Sequence, residues 1–153
     1  MVLSPLSRVQ QAMAVALEEG RRLDAVPADQ RRAAAFIRQA EDCLGQLALL
    51  TSAAVRYGVA YDAAHDIGEA LLAAYGYRTS SGPGQHDALG RFMRVVFDGP
   101  PGDKAAEQFD RLRRSRNQDR YHAMPIGTAD ATMAEKVARE LHAAALARGV
   151  SRA

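Results

Sequence analysis

Cysteine is almost absent from this chain: Cys43 is the only one in 153 residues. An intramolecular disulfide is therefore excluded, and a reducing compartment is expected. Cys43 stands among apolar residues at helical spacing and reads as a small core residue. Lysine is scarce as well, with only Lys104 and Lys136, so the basic side is nearly all arginine. Arginines occur on ordinary helix faces throughout, and a net charge of +2 is too small to imply nucleic-acid binding by itself. No apolar run approaches the roughly 20 residues of a membrane span. The N-terminus has no basic segment followed by a continuous apolar stretch, so no signal peptide is expected and the chain reads as soluble and cytoplasmic. β-branched runs are few, while alanine dominates a hydrophobic fraction of 48%. That balance favours closely packed helices over a sheet.

What is present is helical periodicity. The length fits one domain with room for an extra helix. Ser4-Pro5 offers a helix start, with Val9, Met13, Ala16 and Leu17 as an apolar stripe fading near Leu23. A second helix is expected from 30 to about 57, carrying Phe36, Ile37, Ala40, Leu44, Leu47, Leu50 and Ala54, with a break or kink at Gly58. A third runs from 59 to 77 on Tyr61, Ala64, Ile67, Leu71 and Tyr75. After a Ser/Gly/Pro loop at 79–84, another covers 85–97 with Leu89, Phe92, Met93 and Val96. Beyond the loop at 98–102, a helix from 103 to about 116 turns Ala106, Phe109 and Leu112 inward. Residues 117–127 read as irregular. The last helix starts at Thr128 or Asp130, follows Met133, Val137, Leu141 and Leu146, and ends at Gly149. Nothing reads as a strand. The expected architecture is a single all-α domain, an up-and-down bundle of four to five principal helices over 28–150, with residues 1–27 as an N-terminal helical extension.

Chemistry concentrates in RLRRSRNQDRYH, residues 111–122, where five arginines stand with Asn117, Tyr121 and His122. Arginine supplies planar, permanently charged donors suited to phosphate, and histidine titrates near neutral pH. Arg113, Arg116 and Arg120 would form one basic face on a continuous helix. Six residues of helix amount to about 600°, which would leave His122 roughly 120° around from Arg116. A joint Arg116–Asn117–His122 site therefore requires the helix to break after Arg116, as Asn117 and the approaching Pro125 suggest. The alternative is a solvated basic helix end with Tyr121 packed on the core. Elsewhere, Asp62, His65, Asp66 and Glu69 share one helix face. That spacing can bind metal, with His86 the nearest candidate for a further ligand, but no other helix supplies a matching set. The face therefore reads as polar surface, and no metal or other cofactor is expected. Gly84-Gln85-His86-Asp87 opens a helix and reads as a capping turn, and His142 as a satisfied histidine.

The segment Arg116-Asn117-Gln118-Asp119-Arg120-Tyr121-His122 resembles the Arg-x(4–6)-His motif of the HEPN family of small helical-bundle proteins. Tyr61-Asp62-Ala63-Ala64-His65 leading to Glu69-Ala70-Leu71-Leu72 is similar to the family's central helix, and Gly84-Gln85-His86 to its third-helix entry. The resemblance spans roughly 30–148. It implies a homodimer whose two motifs meet in one cleft, acting as a metal-independent endoribonuclease of the toxin–antitoxin kind, on RNA and opposed by a nucleotidyltransferase-like antitoxin. Arg116 would clamp the scissile phosphate, His122 would serve as general acid or base, and Asn117 would orient either. Arg113, Arg114, Arg120 and Tyr121 would hold the RNA. An Arg-Asn followed five positions on by a tyrosine also resembles family members with no known nuclease activity, which serve as dimerisation, partner-binding or nucleic-acid-binding modules. The two readings part on geometry. The enzyme needs Arg116 and His122 in reach of one phosphate; the module pairs Arg116 with an internal carboxylate such as Asp62 or Asp66.

Overall fold

A computed structural model of the chain describes residues 2–122 and 125–153, apart from the side chains of residues 86 and 118–122. Six α-helices account for most of the described residues: α1 (Arg8–Glu19), α2 (Gln30–Gln46), α3 (Ala53–Tyr75), α4 (Gln85–Val96), α5 (Asp103–His122) and α6 (Thr128–Ala147). The all-α expectation holds. α3 is the axis of the bundle, packing most extensively on α2 and α6 and also touching α4 and α5. Its composition permits this. Ala60, Ala63, Ala64, Ala70, Ala73 and Ala74 are buried together with Tyr57, Tyr61, Ile67, Leu71 and Leu72. A helix apolar around most of its circumference belongs inside, and small side chains let neighbouring helices approach.

Three boundaries differ from the sequence expectation. α1 starts at Arg8, where Ser7 and Gln10 form a reciprocal capping box, Gln10 N donating to Ser7 Oγ and Ser7 N to Gln10 Oε1. That two-bond cap outweighs the weaker Ser4-Pro5 signal. The break between α2 and α3 lies at 47–52, not at Gly58: a 3-10 turn (Leu47–Leu49) is followed by Ser52, whose hydroxyl accepts from Val55 N. Gly58 sits inside α3, where a helical glycine costs only about 1 kcal/mol and tertiary packing overrides it. α5 continues past Asn117 through His122 without a break.

Strands are present after all. β1 (Leu23–Ala25) and β2 (Tyr77–Thr79) form a two-stranded antiparallel ribbon in the register Leu23↔Thr79, Asp24↔Arg78 and Ala25↔Tyr77. Three residues are too few to display an alternating pattern in sequence. Gly76 makes the turn from α3 into β2 with φ of 84°, a left-handed cap, and its amide donates to Leu72 O. A side chain there would strike Val26 O at 2.8 Å.

Two apolar stripes also face differently. Val9 and Met13 are exposed, because α1 docks through Gln10 and Ala14 instead. Gln10 Nε2 donates to Val95 O and Val96 O, satisfying carbonyls at the end of α4. Met133 on α6 is exposed, while Val137 and Leu141 are buried. Among the described residues no helix is long and apolar enough to cross a membrane.

Candidate functional site

The site is built where α5 crosses α3. Tyr57 and Tyr61, one turn apart on α3, face α5. The Tyr57 hydroxyl donates to Leu112 O at 2.9 Å, and the Tyr61 ring stacks on Phe109 with centroids 5.4 Å apart and planes at 12°. These two anchors bring position 116 of α5 beside position 62 of α3. The Arg116 guanidinium lies 4.8 Å from the Tyr61 ring centroid, and its Nη1 donates to Asp62 Oδ1 at 2.9 Å. Arg116 is the more enclosed partner at 24% side-chain exposure, against 51% for Asp62. A guanidinium on an aromatic face with a carboxylate at its edge is held by cation–π attraction and charge-assisted hydrogen bonding together. Burial pushes the Tyr61 phenol up to about 12, against the opposing pull of the Arg116 and Arg113 charges. The phenol stays neutral at working pH.

Of the residues expected to act together, the structure brings Arg116 to Asp62 and leaves Asn117 exposed. The unbroken α5 removes the turn that a joint Arg116–Asn117–His122 site required. Along its backbone, position 122 lies about 9 Å up and roughly 120° around from position 116. Asparagine disfavours a helix interior by less than about 1 kcal/mol. Arg113 and Arg114 meanwhile brace the helix from Asp110 three and four positions back. Those two arginines were expected on RNA. Arg113 Nη2 reaches Asp110 Oδ1 at 2.7 Å, and Arg114 Nε approaches Asp110 Oδ2 at 3.4 Å while staying 66% exposed, so the Asp110 pairing leaves much of Arg114 open to solvent. The hydrogen bond from Arg113 holds the Asp110 carboxyl below its usual range. The i, i+3 and i, i+4 spacing could have revealed this pairing in the sequence. The expected roles of Arg120, Tyr121 and His122 fall on side chains outside the described residues.

The acidic face of α3 is only partly surface. Asp66 is half-buried, and its carboxyl is pushed up to about 6, chiefly by loss of solvent and then by the Asp62 and Glu69 charges. Burial also raises Glu69, opposed by Arg32 across on α2. Burial, with Asp66 and Asp62 adding to it, raises the Cys43 thiol, so it is not poised as a thiolate nucleophile. Cys43 is partly buried against the core. Tyr61 and His65 have ring centroids 6.3 Å apart. Among the described residues no group of three His, Cys, Asp or Glu side chains is arranged to hold a metal.

The remaining motifs are occupied structurally. Asp87, in the first turn of α4, pairs with Arg91 at 2.9 Å and lies 3.7 Å from Arg22, so the helix start already has its anion. His142 Nε2 meets Glu41 Oε2 at 2.9 Å, and Arg152 Nε donates to the same oxygen at 2.8 Å. His142 is thus satisfied, as its setting suggested. Comparison with protein-family models, with curated proteins and with solved structures returns no match in any of the three.

Proposed function

We propose that the chain is a HEPN-like helical module that binds a phosphate backbone without cleaving it. The observation that carries this reading is the Asp62–Arg116 pair on the Tyr61 ring. An arginine already hydrogen-bonded and stacked is a fastener between α3 and α5, not a clamp waiting for a scissile phosphate. The continuous α5 supports the same reading, because positions 116 and 122 stand about 9 Å apart along it and roughly 120° apart around it, so they do not share one helix face. Arg111 and Arg114, three positions apart and exposed, form a short cationic strip on the outer side of α5. Such a strip suits weak, salt-dependent contact with RNA.

A second reading, the metal-independent ribonuclease, is favoured by the exposure of Asp62: an incoming phosphate could displace that carboxylate and take Arg116 for itself. RNA incubated in EDTA with the wild-type protein, Arg116→Ala and His122→Ala separates the two. The binding module leaves RNA intact while retarding it in a gel, and the retardation fades with salt and with Arg111→Glu/Arg114→Glu. Cleavage by the wild type in EDTA, lost in both Arg116→Ala and His122→Ala, would overturn it in favour of the nuclease.

A further inference from the structure

Between α5 and the start of α6 lies a groove of about 250 Å³. Gln108, Arg111, Leu112 and Ser115 line it from α5, at the i, i+3, i+4 and i+7 positions of one helix face. Asp130 lines it from the first turn of α6, and Tyr57 of α3 closes the floor. The floor is already satisfied. Tyr57 is 3% exposed and its hydroxyl donates to Leu112 O, with the Ser115 hydroxyl beside it. The walls are not. The Gln108 amide and the Arg111 guanidinium have no hydrogen-bond or ion-pair partner among the described residues. Asp130 accepts from the Gly127 amide through Oδ2 at 3.0 Å, which leaves Oδ1 over. Arg111 and Asp130 form no ion pair with each other, so a cation and an anion stand open on the two walls of one groove.

The volume and the lining narrow the ligand. A space of this size takes one flat ring system, not a drug-sized molecule. An apolar floor between polar walls fits a ring with apolar faces and polar edges, as in a nucleobase. Guanine carries two acceptors, O6 and N7, on one edge and two donors, N1–H and N2–H, on the next. Arginine meets O6 and N7 as a pair, and a carboxylate accepts from the two donors. Adenine sets the N6 amine beside N7, and a guanidinium, which only donates, cannot meet that amine.

We propose that this groove is a slot for one unstacked guanine of single-stranded RNA, with Arg111 on its acceptor edge and Asp130 on its donor edge. Gln108 completes the α5 wall with an amide that both donates and accepts. Bases splayed out of loops and ends are read in this way, by contacts to their edges. The slot extends the phosphate-binding reading of α5 and rests on it. Arg114 is exposed, three positions on from Arg111 and about 60° further around the helix, where it meets the flanking phosphate. Arg111 thus joins the cationic strip to the slot.

Fluorescence anisotropy on three short labelled strands tests this: oligouridine with one central guanosine, with adenosine in its place, and with an abasic residue there. The wild type is expected to bind the guanosine strand roughly fivefold or more tighter than either of the others. Asp130→Asn keeps an oxygen for the Gly127 amide and should bring the guanosine strand down to the level of the adenosine strand. Gln108→Leu should narrow the same gap. Arg114→Glu should weaken all three strands alike and keep the preference. Circular dichroism confirms that each variant folds. Three strands bound alike by the wild type would overturn the slot and leave the phosphate-binding reading standing, whereas no strand bound would sink both. A guanosine preference untouched by Asp130→Asn would also overturn the slot.

Discussion

Replacing Asp66 by asparagine should stabilise this protein at neutral pH and leave it unchanged in acid. Asp66 lies half-buried on α3, one turn from Asp62 and close to Glu69, with its carboxyl raised to about 6 from an ordinary 3.8. The folded state therefore holds the Asp66 proton more tightly than the unfolded chain does. Below the unfolded value both states are protonated and the site costs nothing. As pH rises from about 4 through about 6 the folded state must accept a poorly solvated charge, and stability falls. A shift of this size corresponds to about 3 kcal/mol for a fully shielded carboxyl. Solvent reaches this one, so screening reduces the penalty to about 1–2 kcal/mol. Asparagine keeps the shape and removes the charge. Thermal unfolding of both proteins at pH 3 and pH 7.5 should give coincident midpoints in acid. At pH 7.5 Asp66→Asn should melt higher, by about 3–6 °C for a chain of this size. Asp110 and Glu135, whose carboxyls are held low by arginines, lose stability as pH falls, so the mutant–wild-type difference is the quantity to read. Equal midpoints at pH 7.5, or a lower one for the mutant, would refute the argument that burial dominates at Asp66.

Three further outcomes follow from hydrogen bonding and packing. Gln10→Leu keeps bulk at a buried position but strands the Val95 and Val96 carbonyls and the Ser7 amide, and should lower the urea midpoint by the equivalent of about 1–3 kcal/mol with little change in slope. Gly68→Ala should destabilise by about 1–2 kcal/mol net, because its Cβ would fall 2.4 Å from Leu89 Cδ2 in the core and overpacking exceeds the gain in helix propensity. Gly58→Ala, with open space around it, should instead stabilise by up to about 1 kcal/mol, so chemical denaturation of the pair separates packing from propensity.

The class of fold was legible in composition and period. Alanine-rich, 3.6-spaced segments with few β-branched runs have nowhere to go but a helical bundle, and α3, α4 and α6 begin or end close to where their spacing, glycines and loops say they should. Local rules decided less at places where two weak signals compete. Ser52 rather than Gly58 starts α3, because a capping hydroxyl fixes a boundary whereas a glycine inside a packed helix is merely tolerated. Asn117 likewise failed to stop α5, since its preference is smaller than the support from Asp110 and the anchors beneath Phe109 and Leu112.

The residue types at the candidate site were visible from the start, but their engagement was not. Sequence alone concentrates five arginines in twelve residues and puts Asp62, His65, Asp66 and Glu69 on one helix face. It also allows Arg116 either a phosphate or a carboxylate, since both suit a guanidinium. The choice depends on a distance between residues 54 positions apart, and only the crossing of α3 and α5 brings Asp62 to 2.9 Å from Arg116 with Tyr61 beneath it. The same holds for α1. Its apolar stripe is a property of the sequence, whereas its exposure is decided by two carbonyls at the end of α4, which draw Gln10 inward and turn Val9 and Met13 outward. Periodicity reports which residues share a face; only tertiary hydrogen bonding and packing determine what that face meets.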